Sequence, residues 1–100
     1  MTDTETVKYI EGSHTWEDPW NDNKEITCAY RFRKPFRSDI SRFSKEAVKS
    51  PTSAQNNLLI GTVHPEDAGR LKADLEEHPA LLVALGAWML KASGFGDLGN

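Results

Sequence analysis

A single cysteine, Cys28, is the only thiol in the 100 residues. No internal disulfide can form, and nothing in the chain calls for an oxidising compartment. An excess of positive charge is missing too. Twelve Lys and Arg stand against fifteen Asp and Glu, a net charge of −3, with a pI near 5.5. Non-specific nucleic-acid binding needs surplus cations to neutralise phosphates, so this balance argues against it. No apolar run reaches the about 20 residues that a bilayer span requires, and no membrane partner is expected. Residues 1–6 carry neither a basic start nor an apolar stretch; they read as a frayed tail rather than a secretory signal, and the expected location is the cytoplasm. There is no glycine loop for phosphate, no Ser/His/Asp or Cys/His arrangement, and no internal repeat. The acids are scattered over helix starts and ends. An enzyme is not expected, nor a cofactor.

What the chain does have is enough apolar material for one modest domain, with 38% hydrophobic and 27% charged residues. The most apolar stretch is Pro79 to Gly94, in which only Gly86 and Lys91 interrupt the apolar residues from Ala80 to Ala92. Pro79 suits a first helical position, and Gly94 suits a left-handed stop. The spacing predicts a helix roughly 20 Å long at about 1.5 Å per residue. At about 100° per residue, Leu81, Leu85, Trp88 and Ala92 form one stripe, flanked by Leu82 and Met89. Val83, Ala87 and Leu90 fall on the opposite side. A helix that is apolar all round is either buried all round or meets another chain with its second face. The small domain favours the second reading, because small chains bury a smaller share of their surface.

Earlier in the chain, Val7 to Ile10 reads as a short strand, and Gly12 to Lys24 as a long polar loop holding Trp16 and Trp20. Two large rings in a polar loop either fold back on the sheet or contact a partner, since Trp is enriched among interface anchors. His14, Asp18 and Asp22 are potential metal ligands, but their spacing matches no calcium loop, and no metal is expected. Glu25 to Arg33 alternates strictly. Ile26, Cys28, Tyr30 and Phe32 point one way; Thr27, Ala29, Arg31 and Arg33 point the other. This is a half-buried strand with Cys28 on its core side. Pro35 ends it. Ser38 or Asp39 can cap a first helix with Ile40, Phe43, Ala47 and Val48 apolar, broken at Ser50-Pro51. Thr52 or Ser53 can cap a second, ended by His64-Pro65. Pro65, Glu66 and Asp67 open a third, with its acids in the first turn where the helix dipole favours them. His64 and His78 each precede a proline at a helix junction and read as local structure. The fold class is therefore α+β: a small antiparallel N-terminal sheet followed by about four helices. It forms one domain, with a tail over 1–6, a β-hairpin with a long loop over 7–36 and a helical part over 37–94.

Two segments carry a resemblance. The run from Tyr30 to Phe43, a strand ending in basic residues, then Pro35 and Asp39 opening a helix, is similar to phage tail assembly chaperones. So is the later series Asn57 to Ile60, Val63 to Asp67, Leu75 to Pro79 and Leu82 to Leu90. The likeness runs from about Glu25 to Gly94, and the Trp-bearing loop departs from it. It implies a short sheet followed by helices, and a non-enzymatic protein that binds the tape measure protein during tail building and is absent from the finished virion. The expected contacts are Val83, Ala87 and Leu90 on the last helix, with Arg31 and Arg33 orienting the partner, and homo-oligomers are expected as well. The alternative is a small nucleic-acid-binding or regulatory phage protein. Arg31, Arg33, Lys34 and Arg37 interleave with Phe32 and Phe36, but alternation turns Phe32 away from the basic residues, and base stacking needs them together.

Overall fold

In a computed structural model, which describes residues 7–94, the chain is a two-stranded antiparallel sheet followed by four helices. The strands are β1 (Tyr9–Asp18) and β2 (Lys24–Arg33). The helices are α1 (Arg37–Lys49), α2 (Pro51–Thr62), α3 (Pro65–Glu77) and α4 (Ala80–Ala92). The α+β architecture is the one the sequence predicts. The tail expected over 1–6 lies outside the described residues.

The expected long loop is the main correction. Most of Gly12 to Lys24 is strand: β1 pairs with β2 in continuous register from Tyr9↔Arg33 to Asp18↔Lys24. Directly opposed residues share a face, so Ile10, Gly12, His14 and Trp16 join Phe32, Tyr30, Cys28 and Ile26 on the inner side. Polar side chains at Ser13, Thr15 and Glu17 face outward, where water suits them. The outward Thr15 and Thr27 hydroxyls hydrogen-bond at 2.9 Å. The turn itself is short. The Asp18 carboxylate accepts from the Trp20 N–H at 3.0 Å, residues Pro19–Asn21 form a 3-10 turn, and Asp22 and Asn23 adopt positive φ of 57° and 58°. Asp and Asn tolerate that left-handed conformation better than other side chains.

Helix starts follow local chemistry, with the caps of α1 and α2 two or three residues earlier than expected. Ser50 Oγ accepts from the Ser53 N–H at 3.2 Å and Pro51 occupies the first helical position, so Ser50 and not Thr52 or Ser53 caps α2. The Asp39 carboxylate reaches back to the Phe36 N–H at 2.7 Å at the start of α1. His64 Nδ1 accepts from the Glu66 N–H at 3.1 Å at the start of α3. Gly94, at φ 101°, follows α4 as a left-handed stop.

The core joins Cys28, Tyr30 and Phe32 of β2 to Leu58, Leu59 and Val63 at the end of α2, Leu71 of α3, and Leu81, Leu85, Met89 and Leu90 of α4. Two glycines set how closely the layers approach. Gly12 lies under the Trp88 ring: a Cβ there would sit 2.5 Å from Trp88 Cζ3. Gly86 lies against Gln55 of α2, where a Cβ would sit 2.9 Å from Gln55 Cδ. The absence of side chains at these two points lets α4 pack onto β1 and α2 together. Gly12→Ala should destabilise the fold by ~1–3 kcal/mol, the usual range for overpacking, lowering the urea midpoint without changing the slope. An unchanged midpoint would mean that Trp88 does not rest on Gly12.

Candidate partner-binding site

The five residues expected to meet a partner separate into three environments. Arg31 and Arg33 do project from the outward face, opposite Tyr30 and Phe32, which are each 1% exposed. Both arginines are engaged by groups of this chain. Arg31 grips Asp67 in a fork: Nε donates to Oδ2 and Nη2 to Oδ1, both at 3.0 Å, while the Arg31 backbone N–H donates to Oδ2 at 2.9 Å. Arg31 Nη2 also reaches Glu66 at 3.2 Å. Arg33 is half-buried. Its Nη1 donates to Asp39 at 2.9 Å, its Nη2 donates to the Gly61 carbonyl at 2.8 Å, and its guanidinium lies 4.0 Å from the centroid of the Phe36 ring. Both cations tie helices to the sheet. Because the rings of Tyr30 and Phe32 are interior, no stacking platform stands beside these arginines.

These contacts fix charge states. The Asp67 carboxyl is held well below the usual carboxylate range, first by the Arg31 side-chain hydrogen bonds and then by the Arg31 N–H, against opposing desolvation. Burial alone would raise Asp39, but the Arg33 hydrogen bond, the Phe36 N–H and the charges of Arg33 and Arg42 outweigh it and lower it. Desolvation, followed by its hydrogen bond to the Asp74 carboxylate and the proximity of Cys28, pushes the Tyr30 hydroxyl far up, so it stays protonated.

On α4 two of the three residues expected on the outer face are exposed. Val83 is 64% exposed and Ala87 is exposed, but Leu90 is only 5% exposed and belongs to the core. The reason is that α2 covers the flank of α4 that includes Gly86, and Leu90 lies within about 40° of Gly86 on the helical wheel. Leu90→Glu should therefore unfold the protein about as badly as Leu85→Ala, whose cost is ~2–5 kcal/mol. Val83→Glu should leave the thermal melt nearly unchanged. Equal melts for Leu90→Glu and wild type would restore Leu90 to the surface.

A third region lies at the hairpin tip, and the sequence reading did not find it. The residues that line it include His14, Trp16, Trp20, Ile26, His78 and Leu81, with Asp18 and Glu77 also contributing, around a cleft of about 790 Å³. Trp16 is half-buried between two imidazoles: it stacks on His14 at 5.4 Å and meets His78 edge-on at 5.0 Å, centroid to centroid. Trp20 is 93% exposed. The two expectations for the tryptophans thus divide between them: Trp16 folds back, and Trp20 stands in solvent. His78 stays at the α3–α4 junction, as expected for local structure, yet also forms a wall of this cleft. The pairing of position 14 with 16 on one face was visible only once β1 was known to be a strand. Among the described residues, no three or more His, Cys, Asp or Glu are grouped to hold a metal.

A family model described as a domain of unknown function, DUF6848, matches residues 15–100. The chain belongs to the DUF6848 family. The DUF6848 match takes in Trp16, Trp20 and His78 of the cleft, the Arg31–Asp67 pair and all of α4. Among solved structures, the uncharacterised protein rbstp2171 from Bacillus stearothermophilus is similar, at 26% identity and a TM-score of 0.72. The likeness covers 92% of this chain and 86% of that one. No curated protein matches the sequence.

The depressed carboxyls have a consequence for acid stability. Asp67 and Asp39 titrate lower in the folded chain than the about 3.9 of an unfolded Asp. Their contribution is complete above about pH 4 and is lost as pH falls through the folded values. Asp67→Asn should lower stability at pH 7 and flatten the acid limb of a plot of urea midpoint against pH. An acid limb as steep as that of wild type would remove Asp67 from this role.

Proposed function

We propose that this protein is a non-enzymatic interaction protein of the phage or prophage tail assembly chaperone type, one that holds a segment of a tape measure protein during tail building in the bacterial cytoplasm. The single observation that supports this most is Trp20, a large ring left 93% exposed at the mouth of an aromatic cleft. Large rings in a folded chain are normally covered, and Trp is over-represented among the residues that dominate interfaces. The cleft volume lies within the range typical of ligand sites, about 300–1,000 Å³, and suits a few apolar side chains of a helical segment. Asp18 and Glu77 in its lining favour a segment with a basic residue beside the apolar ones. Val83 and Ala87 offer a second, separate apolar contact. Self-association belongs to the same reading.

The test is co-expression of the full chain with a phage tape measure protein, followed by co-purification. Wild type should keep that protein soluble and co-elute with it. Trp20→Ala should weaken capture by about 30-fold, the equivalent of a ~2 kcal/mol anchor, while leaving the melt unchanged, because Trp20 packs on so little. A tape measure protein that precipitates equally with and without this chain would overturn the reading. A salt-sensitive shift of DNA or RNA by the chain alone would favour the nucleic-acid alternative.

A further inference from the structure

The sheet has two strands, and the two edges differ in how far other elements cover them. On the far side of β2, Arg31 is used fully: its carbonyl accepts from the His64 N–H at 2.8 Å, and its N–H donates to Asp67 at 2.9 Å. The Ala29 carbonyl accepts from Arg70 at 2.8 Å, and Phe32 bridges to Val63. The α2–α3 junction therefore covers that edge from Ala29 to Phe32. Because the backbone groups of Arg31 point away from β1, alternation in an antiparallel ladder makes those of its partner Glu11 point away from β2, along with those of Ser13, Thr15 and Glu17. None of these outward groups has a backbone partner among the described residues. The edge runs for ten residues without a proline, bulge or lysine, and its charges, Glu11, Glu17 and Asp18, are all acidic.

We infer that β1 pairs with β1 of a second copy, antiparallel about a two-fold axis at Ser13, giving a continuous four-stranded sheet. The side chains select this occupant and this register. With the axis at Ser13, Glu11 faces Thr15 of the second copy, Tyr9 faces its Glu17 and Ile10 faces its Trp16. Lys8 meets the second copy's Asp18, an opposite charge at each end of the pairing. No carboxylate faces another. An axis at Glu11 would set two glutamates against each other, and an axis at Thr15 would run the pairing into Pro19 and leave Lys8 alone. The chosen register joins residues 9, 11, 13, 15 and 17 of each copy through about ten backbone hydrogen bonds, two for each hydrogen-bonded pair. It also covers Ile10, which is 46% exposed in the single chain. On α4 the helical wheel places Ala80, Ala84 and Ala87, with the exposed Lys91 among them, between the Trp88 side, which lies on β1, and Val83; the alanines leave room for the neighbouring copy at the first two turns of the helix. The outer edges of the four-stranded sheet are those of β2, covered from Ala29 to Phe32 by the α2–α3 junction, and a two-fold pairing of β1 with itself closes at two copies. The pairing deepens the self-association in the proposed function but does not depend on the tail-protein reading: a dimer that ignores the tape measure protein would sustain this inference alone.

The test is light scattering and sedimentation on the full chain at ten to several hundred micromolar. Wild type should run at about twice its 11.2 kDa over this range. Ser13→Pro, which removes an outward N–H at the axis, should shift the mass to that of a single chain. Ser13→Asp, which sets two carboxylates at the axis, should do the same while the circular dichroism spectrum stays that of wild type, and so serves where the proline variant fails to fold. Ser13→Cys reads the register. Cys28 is buried, so the new thiol is the accessible one. Its Cα should face its counterpart at about 5.5 Å, within disulfide range, and mild oxidation should give a covalent dimer. Glu17→Cys should not cross-link, because its counterpart lies about eight residues along the strand. A single-chain mass at several hundred micromolar, a dimer indifferent to both Ser13→Pro and Ser13→Asp, or equal cross-linking at positions 13 and 17 would each overturn the proposal.

Discussion

The bond between Arg31 and Asp67 is the constraint on which the rest of the arrangement depends. It joins a residue of β2 to the first turn of α3 through a guanidinium fork and a backbone N–H at once. An isolated surface ion pair contributes little. This one is different because the same carboxylate also caps an exposed strand edge, so the pair fixes both the angle of α3 and the boundary of the sheet. Downstream of it, Asp74 reaches the Tyr30 hydroxyl, Arg70 lies 4.6 Å from the Tyr30 ring centroid, and the α3–α4 junction is delivered to the hairpin tip where His78 meets Trp16. A cleft between two parts of the chain far apart in sequence exists because α3 is held in a single position along β2.

The second constraint is spatial. α4 is served by two glycines on other sides of its contacts, Gly12 beneath Trp88 and its own Gly86 against Gln55. Close approach on both flanks leaves one apolar strip, Val83 and Ala87, without cover. The combination explains how a helix with almost no polar residues remains compatible with a single small domain: most of its apolar surface is pressed into neighbours, and the exposed remainder is three alanines, Val83 and the one charged residue, Lys91.

Much of this was readable from the residues, for identifiable reasons. The alternation of β2 showed because its inner residues are strongly apolar and its outer ones are not. Helix junctions showed because Pro51, Pro65 and Pro79 interrupt the chain. β1 did not show. Its inner row, Gly12, His14 and Trp16, owes its burial to Trp88 and to the α3–α4 junction, and a glycine and a histidine carry no hydropathy signal. Leu90 was misplaced because a helical wheel cannot tell which flank a neighbouring helix will cover. Arg31 and Arg33 looked free because their carboxylate partners lie 36 and 6 residues away, and sequence spacing gives no reason to pair them. The exposed Trp20 was noticed as unusual, while the cleft behind it required tertiary contacts that no local pattern encodes.

The attachment of α1 differs in kind from that of the other helices. Its one buried residue is Asp39, and it packs mainly on α2, adding Phe43 at the edge of the core. What holds its start is a carboxylate shared by Arg33, Arg42 and the Phe36 N–H. Because Asp39 is buried and Arg33 half-buried, salt screens this attachment much less than it would an exposed ion pair. The native state is therefore graded: α1 has one buried residue to lose on opening, where β2, α2 and α4 each carry several core side chains, and local opening is cheapest where interior packing is least.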